Sequence, residues 1–303
     1  MRKKVFITGV LGLVGSRFVE LQKNNFDITA SDVDTLDITN KEAVHLFFKE
    51  NKFDAIVHFA AYTDVGKAEE QKGDKNGLCW KVNVEGTKNL VESTDPKETH
   101  FIQISTDMVF PANKEDHGPY SEDHQVKLKT NSLSWYGYTK AMAEKVVSDN
   151  LGLDNSTVLR LIYPVRAKFK DKLDYLRKPL SLYDQGKLYP LFNDQQLSVC
   201  FIDEASAALQ KIIDKKKTGI FHASSADLTS PLEIISYLIE KTGRKKSALI
   251  AIPIKDFLKK KDNPVRYPIF GGLRVNYTEK ELEVKFGSWK TIVDSLVYQG
   301  IGK

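Results

Sequence analysis

The sequence predicts an α/β protein, with a doubly wound parallel sheet over residues 1–162 and a smaller mixed α/β lobe over residues 163–303. Three observations carry that expectation. Short β-branched and apolar runs alternate with helical patterns through the first half, which is the rhythm of βαβ units. A turn with glycines at positions 9, 12 and 15 joins the first run to the first helical pattern. Beyond Tyr163 the alternation loosens, although a run near residues 198–202 is expected to return to the large sheet.

Taken in order, residues 4–8 (KVFIT) form a short strand, and the helix after it shows apolar Leu13, Val14, Phe18, Val19 and Leu21. Residues 26–30 read as the second strand. Thr39 with Glu42 three residues later makes a capping box, and Ala43, Val44, Phe47 and Phe48 behind it fall at helical spacing. Residues 54–60 (DAIVHFA) are nearly all apolar, as a strand buried on both faces requires. Residues 78–91 are helical and stop before Asp95-Pro96. A strand over 100–105 and a helix over 136–147 follow. The polar stretch 111–134 between them is too long for an ordinary connection and is expected to be functional. Residues 158–162 close the series. In the lobe, Ser230-Pro231-Leu232-Glu233 opens a helix with a cap, a first-turn proline and a box, and Gly243 ends it.

The glycine turn, Gly9-Val10-Leu11-Gly12-Leu13-Val14-Gly15, carries the first chemical signal. Glycines let the backbone approach a pyrophosphate, and the helix N-terminus offers N–H groups and partial positive charge, the Rossmann arrangement for a dinucleotide. Asp32, at the end of the second strand, can accept hydrogen bonds from a ribose. Its charge favours NAD over NADP, while Arg2 and Arg17 leave NADP open. The second signal is Tyr136 with Lys140, four apart and so on one helix face. A phenol near ~10 is a poor acid at neutral pH, and a neighbouring ammonium would lower it. The lysine can also hold a nicotinamide ribose. The third is Ser105-Thr106-Asp107 at the carboxyl end of a strand, the edge where open parallel sheets bind ligands. Tyr138 has Met142 four residues on and is a decoy.

In their order along the chain these pieces resemble the extended short-chain dehydrogenase/reductase family, and within it the dTDP-4-dehydrorhamnose reductases and their relatives. The likeness rests on Ile7-Thr8-Gly9, Leu36-Asp37-Ile38-Thr39, His58-Phe59-Ala60-Ala61-Tyr62-Thr63 and Val82-Asn83-Val84-Glu85-Gly86-Thr87. It continues through Ile104 to Phe110, Gly118-Pro119-Tyr120-Ser121-Glu122 and Tyr136-Gly137-Tyr138-Thr139-Lys140. The resemblance implies Thr106, Tyr136 and Lys140 as catalytic residues. It implies cofactor contacts from the glycine turn (Leu11, Leu13 and Val14 included), Asp32, Asp37, Ile38, Ala60, Ala61, Tyr62, Ser105 and Tyr163. Substrate contacts would come from Thr106, Asp107, Tyr136 and Tyr163. Related 4,6-dehydratases carry Asp-Glu after the threonine; Met108 here cannot transfer a proton, so carbonyl reduction fits better. Tyr163, three residues after Arg160, stands where the reductases tend to have a base-stacking Trp. The lobe from 163 to about 198 departs most from the pattern, whereas Asp203-Glu204-Ala205 and the tail at 282–289 match it again.

The implied activity is NAD(P)-dependent reduction of a 4-keto nucleoside-diphosphate sugar, with Arg166 and Lys168 as candidate diphosphate partners. A cofactor-binding regulatory subunit, like the β subunit of methionine adenosyltransferase, and a sugar-nucleotide epimerase are the alternatives. Composition narrows the rest. Lys+Arg 45 against Asp+Glu 40 leaves a net charge of +5, too small an excess to argue for nucleic acid. The basic runs at 215–217 and 259–261 read as solvated helix ends. Two distant cysteines, Cys79 and Cys200, exclude a disulfide framework and a zinc ribbon. No apolar run approaches the ~20 residues of a membrane span, and glycines interrupt the leader-like start, so a cytoplasmic chain is expected. His117, His124 and the carboxylates near them match no metal-ligand spacing, so no metal is expected. His58 reads as a hydrogen-bonded core histidine, His45 as an ordinary helix residue and Cys79 as packing. A homodimer stays open.

Overall fold

The computed structural model describes residues 1–246, 249–260 and 267–303; Lys261 of the second basic run lies outside them. In chain order the strands are β1 (Lys4–Thr8), β2 (Asp27–Ser31), β3 (Ala55–His58), β4 (His100–Thr106), β5 (Ser156–Leu161) and β6 (Pro164–Val165). They continue with β7 (Leu191–Phe192), β8 (Cys200–Phe201), β9 (Gly219–Ala223) and β10 (Ala251–Ile252). Six of them form one sheet in the order β2-β1-β3-β4-β5-β9. The pairs β1–β2, β1–β3 and β3–β4 are parallel, so each needs a crossover, and helices Leu13–Gln22, Lys41–Glu50 and Thr87–Glu92 belong to these connections.

The chain divides into two units. The first comprises Met1–Phe110, Asp123–Arg160 and Ser206–Phe221; the second comprises Pro111–Glu122, Leu161–Ala205 and His222–Lys303. The polar stretch expected at 111–134 is therefore shared between them. In the first unit, Phe6 of β1 packs against Phe47, Phe48 and Phe53, with centroids 4.9–5.2 Å away. Ile56, Leu90, Phe101 and Val147 complete that core. The second unit has its own core, in which Leu176, Leu180, Ile235, Leu238, Trp289, Ile292 and Leu296 are buried.

Three expectations need correction. The run at 198–202 does not return to the large sheet: β8 pairs with β6 in a separate two-stranded sheet, and β9 is the strand that joins the large one. The cap of helix Lys41–Glu50 is Asn40, whose side chain accepts from Ala43 N, while the Thr39 hydroxyl donates to Asp37. The helix expected at 78–91 widens into a π-helical turn over Lys81–Gly86 between two α segments. The Ser230 capping box forms as expected, and Gly243 follows that helix at φ +76°.

Candidate active site

Within the first unit, the carboxyl ends of β1, β3 and β4 and one face of helix Trp135–Leu151 build the site. A directed chain of hydrogen bonds ties β1 to β3. Ala60 N donates to Thr8 Oγ1 (3.1 Å), Thr8 Oγ1 pairs with His58 Nδ1 (2.7 Å) and His58 Nε2 with Thr87 Oγ1 (3.1 Å). The Thr87 hydroxyl donates to Asn83 O, so the ring proton of His58 belongs on Nε2 and Nδ1 accepts. Burial holds this imidazole neutral, its pKa drawn down to about 3. His58 is thus the core histidine expected.

The glycine turn needs its glycines. Gly9 has φ +69°, and a Cβ there would lie 2.6 Å from Ala60 N; one at Gly15 would lie 2.4 Å from Gly9 O. Gly12 caps helix Leu13–Gln22 without a side chain, and no acidic residue stands in the first turn. Asp32 accepts from Leu11 N (3.0 Å) and Val33 N (2.9 Å), which fastens the turn to the end of β2. A carboxylate offers about four lone-pair sites, so acceptor capacity for a ribose remains. Backbone amides at a helix N-terminus and a carboxylate at the next strand end fit a dinucleotide.

At β4 a second close approach matters. A Cβ on Gly137 would stand 2.1 Å from Met108 O, so glycine alone lets the helix lie against the turn Asp107–Val109. Ser134 caps this helix by accepting from Gly137 N (3.1 Å). Tyr136, one residue before that contact, is hydrogen-bonded with Thr106. Thr106 also donates to Asp107 Oδ1 (3.1 Å). One turn further on, the buried Lys140 donates to Ile104 O (2.7 Å). The structure therefore brings Thr106, Asp107, Tyr136 and Lys140 together at one strand end.

The electrostatics differ from expectation in one respect. Burial, then the Asp107 and Cys79 charges, push the Tyr136 phenol above its ordinary value, and the Thr106 hydrogen bond is what draws it back. Lys140, expected to acidify the phenol, is committed to Ile104 O, and burial lowers its own pKa to about 8. Burial also pushes the Asp107 carboxyl up to about 7. The Cys79 thiol is raised by burial, consistent with packing.

Of the remaining expected residues, Ile38 is buried against Gly86 and its carbonyl accepts from Asn89. The exposed Asp37 accepts from Thr39, and Tyr62 N donates to Asn83 Oδ1 (2.7 Å). Asn83 also donates to Thr139 Oγ1 (2.9 Å), so the π turn fastens the segment after β3 to helix Trp135–Leu151. The decoy Tyr138 stacks on Trp135. Tyr163, Arg166 and Lys168 belong to the second unit. There Tyr163 takes φ +39° with its ring 4.2 Å from that of Tyr175, and the Arg166 guanidinium lies over Phe169. Sequence reasoning passed over Glu144, which accepts from Ser105 Oγ (2.5 Å) and is paired bidentately with Arg160 (3.0 and 2.7 Å). Its signal was Arg160 itself, a charge inside the apolar run of β5.

A family model described as the RmlD substrate binding domain matches residues 3–300. The probable low-salt glycan biosynthesis reductase Agl14 of Haloferax volcanii is 26% identical over 290 residues, covering 91% of each chain. A dTDP-4-dehydrorhamnose reductase of Mycolicibacterium smegmatis is 28% identical over 245 residues, 80% of this chain and 70% of that one. Among solved structures, a dTDP-4-dehydrorhamnose reductase from Bacillus anthracis in complex with NADP superposes with a TM-score of 0.83. It covers 99% of this chain and 100% of that one at 22% identity.

Proposed function

The chain belongs to the RmlD substrate-binding domain family of NAD(P)-dependent oxidoreductases, and on that premise we propose that it reduces the 4-keto group of a nucleoside-diphosphate sugar. The observation that carries this reading is the Thr106–Tyr136 hydrogen bond beside buried Lys140, at the carboxyl end of β4 in the unit that holds the glycine turn. The glycine turn and Asp32 would hold a reduced nicotinamide dinucleotide, which when bound would supply the hydride for the carbonyl carbon. Thr106 and Tyr136 hold the carbonyl oxygen, and Tyr136 Oη gives it a proton. Lys140, leaving Ile104 O, binds the nicotinamide ribose and keeps positive charge near the phenolate that results. Thr106, whose hydroxyl donates to Asp107 Oδ1 in the absence of substrate, turns that proton to the carbonyl oxygen when substrate binds. Met108 offers no acid or base where dehydration would need one.

NAD is proposed over NADP. Asp32 would face a 2′-phosphate, Arg17 is paired with Glu20 (2.6 Å), and Arg2 donates to the carbonyls of Lys23 and Asn24. We place the reaction in the cytoplasm as part of this proposal. The test is oxidation of NADH and of NADPH with dTDP-4-keto-6-deoxy sugars by the parent chain and Tyr136→Phe. The variant is expected to lose about 10²–10⁴-fold in kcat, the range for a general acid. Equal rates would remove Tyr136 from the mechanism. Absence of net cofactor oxidation would instead point to an epimerase or a regulatory subunit.

A further inference from the structure

Behind Lys140 lies a charged group that the reaction as described does not use. Glu144 is one helical turn beyond Lys140 on the same buried face, so the two side chains are neighbours. Its carboxylate is held on three sides: Ser105 donates to Oε1, Arg160 Nε donates to Oε1 and Arg160 Nη2 donates to Oε2. Arg160 is itself buried, its guanidinium 4.9 Å above the Phe110 ring, so neither partner can swing out to solvent. Ser105 directly precedes Thr106, so the same carboxylate grips the strand end that presents the catalytic hydroxyl.

We propose that Glu144, pinned by Arg160 and Ser105, is a positioning residue for the reduction, its fixed negative charge keeping Lys140 an ammonium and its bond to Ser105 orienting Thr106. This rests on the role given to Lys140 above. The other titratable groups at this strand end do not supply that charge: Asp107, a carboxylate only above about 7, bonds Thr106 and acts on Tyr136. Cys79, from helix Leu78–Trp80, is a thiol raised by burial, His58 of β3 is a neutral imidazole, and Tyr136 is a phenol held above its ordinary value. Burial works against the ammonium, and the Glu144 charge opposes it. Arg160 makes that charge tolerable at this depth and prevents Glu144 from accepting Lys140's proton outright. Lys140 can then turn its N–H groups to Ile104 O or to a ribose without losing its charge.

NADH affinity across pH 6–10, followed by cofactor fluorescence, reads the Lys140 charge without requiring turnover. The parent is expected to bind more weakly as pH rises through about 8, where Lys140 loses its proton. In Glu144→Gln that midpoint is expected to fall by about one pH unit, the effect of removing one nearby opposite charge. Affinity would then match the parent at pH 6 and be several-fold weaker at pH 8. Glu144→Asp, which keeps the charge, should restore the midpoint. A purely structural role would weaken binding equally at every pH. If Glu144→Gln does not fold by circular dichroism, the Glu144→Gln/Arg160→Met chain, with no charge left unpaired, is expected to show a midpoint lowered by less than about one unit, because the Arg160 cation is removed along with the carboxylate. An unmoved midpoint in a folded variant overturns this proposal alone; a parent profile flat from pH 6 to 10 overturns the role of Lys140 and this proposal with it.

Discussion

Asp107 puts a titrating carboxyl two hydrogen bonds away from Tyr136, through Thr106. Burial pushes its pKa up to about 7, so it is a neutral acid below that pH and a carboxylate above it. The carboxylate raises the Tyr136 phenol further and makes it a weaker acid. Proton delivery to the carbonyl oxygen is therefore expected to slow as pH rises through about 7. Asp107→Asn removes the charge while keeping an acceptor for Thr106, so its kcat profile should lose the step near pH 7. Rates of the variant and parent should agree below pH 6 and diverge in the variant's favour above pH 8. A parent profile with no inflection between pH 6 and 8 would remove Asp107 from the proton balance. The neighbouring His58 makes the opposite use of burial, since its neutral ring is consumed in joining β1 to β3.

Among the elements, helix Trp135–Leu151 matters most through its distance from the turn after β4. Adding one methyl at Gly137 would place carbon 2.1 Å from Met108 O, and backbone on both sides cannot yield cheaply. Gly137→Ala is expected to lower stability by about 1–3 kcal/mol, the range for overpacking. It should also reduce kcat far more than NADH affinity, because Tyr136 moves off Thr106 while the glycine turn stays intact. Urea unfolding together with kcat and KM measures both effects. That contact was not legible in the sequence, although the residues it aligns were. Tyr136, Lys140 and Thr106 could be read because their spacing and strand-end position follow from local periodicity. The large sheet was legible for the same reason, and β1 falls where its β-branched run placed it. Cys200–Phe201 was misplaced because a two-residue apolar strand carries no sign of its partner; its register with Pro164–Val165 is a tertiary choice. The π turn escaped because Asn83 finds Tyr62 and Thr139 across space, which no helical period records. Thr39 lost the cap to Asn40 because both residues can cap and only the position of the first helical turn decides between them.

Taken as a whole, the first unit stores opposing proton affinities that determine how it meets mild acid. His58 and His100 are held neutral by burial, with pKa values drawn down to about 3 and about 4. Asp107 is shifted the other way, up to about 7. The unfolded chain protonates its histidines below about 6.5 and keeps aspartate ionised down to about 3.9. From pH 6.5 to about 4 the unfolded state therefore takes up two protons that the fold refuses, while the fold retains one, on Asp107, that the unfolded state lacks. The net excess of about one proton in the unfolded state means stability falls with falling pH, by about 1.4 kcal/mol per pH unit. Trp80 and Trp135 lie in this unit and Trp289 in the other, so a Trp289→Phe chain reports the first unit by fluorescence. Its urea midpoint should drop steadily between pH 6.5 and 4.5. Adding Asp107→Asn removes the opposing proton and should about double the slope, to about 2.7 kcal/mol per pH unit. If the slope does not change, Asp107 is not the buried neutral acid that its place beside Thr106 makes it, and the pH step assigned to catalysis would have to come from another group.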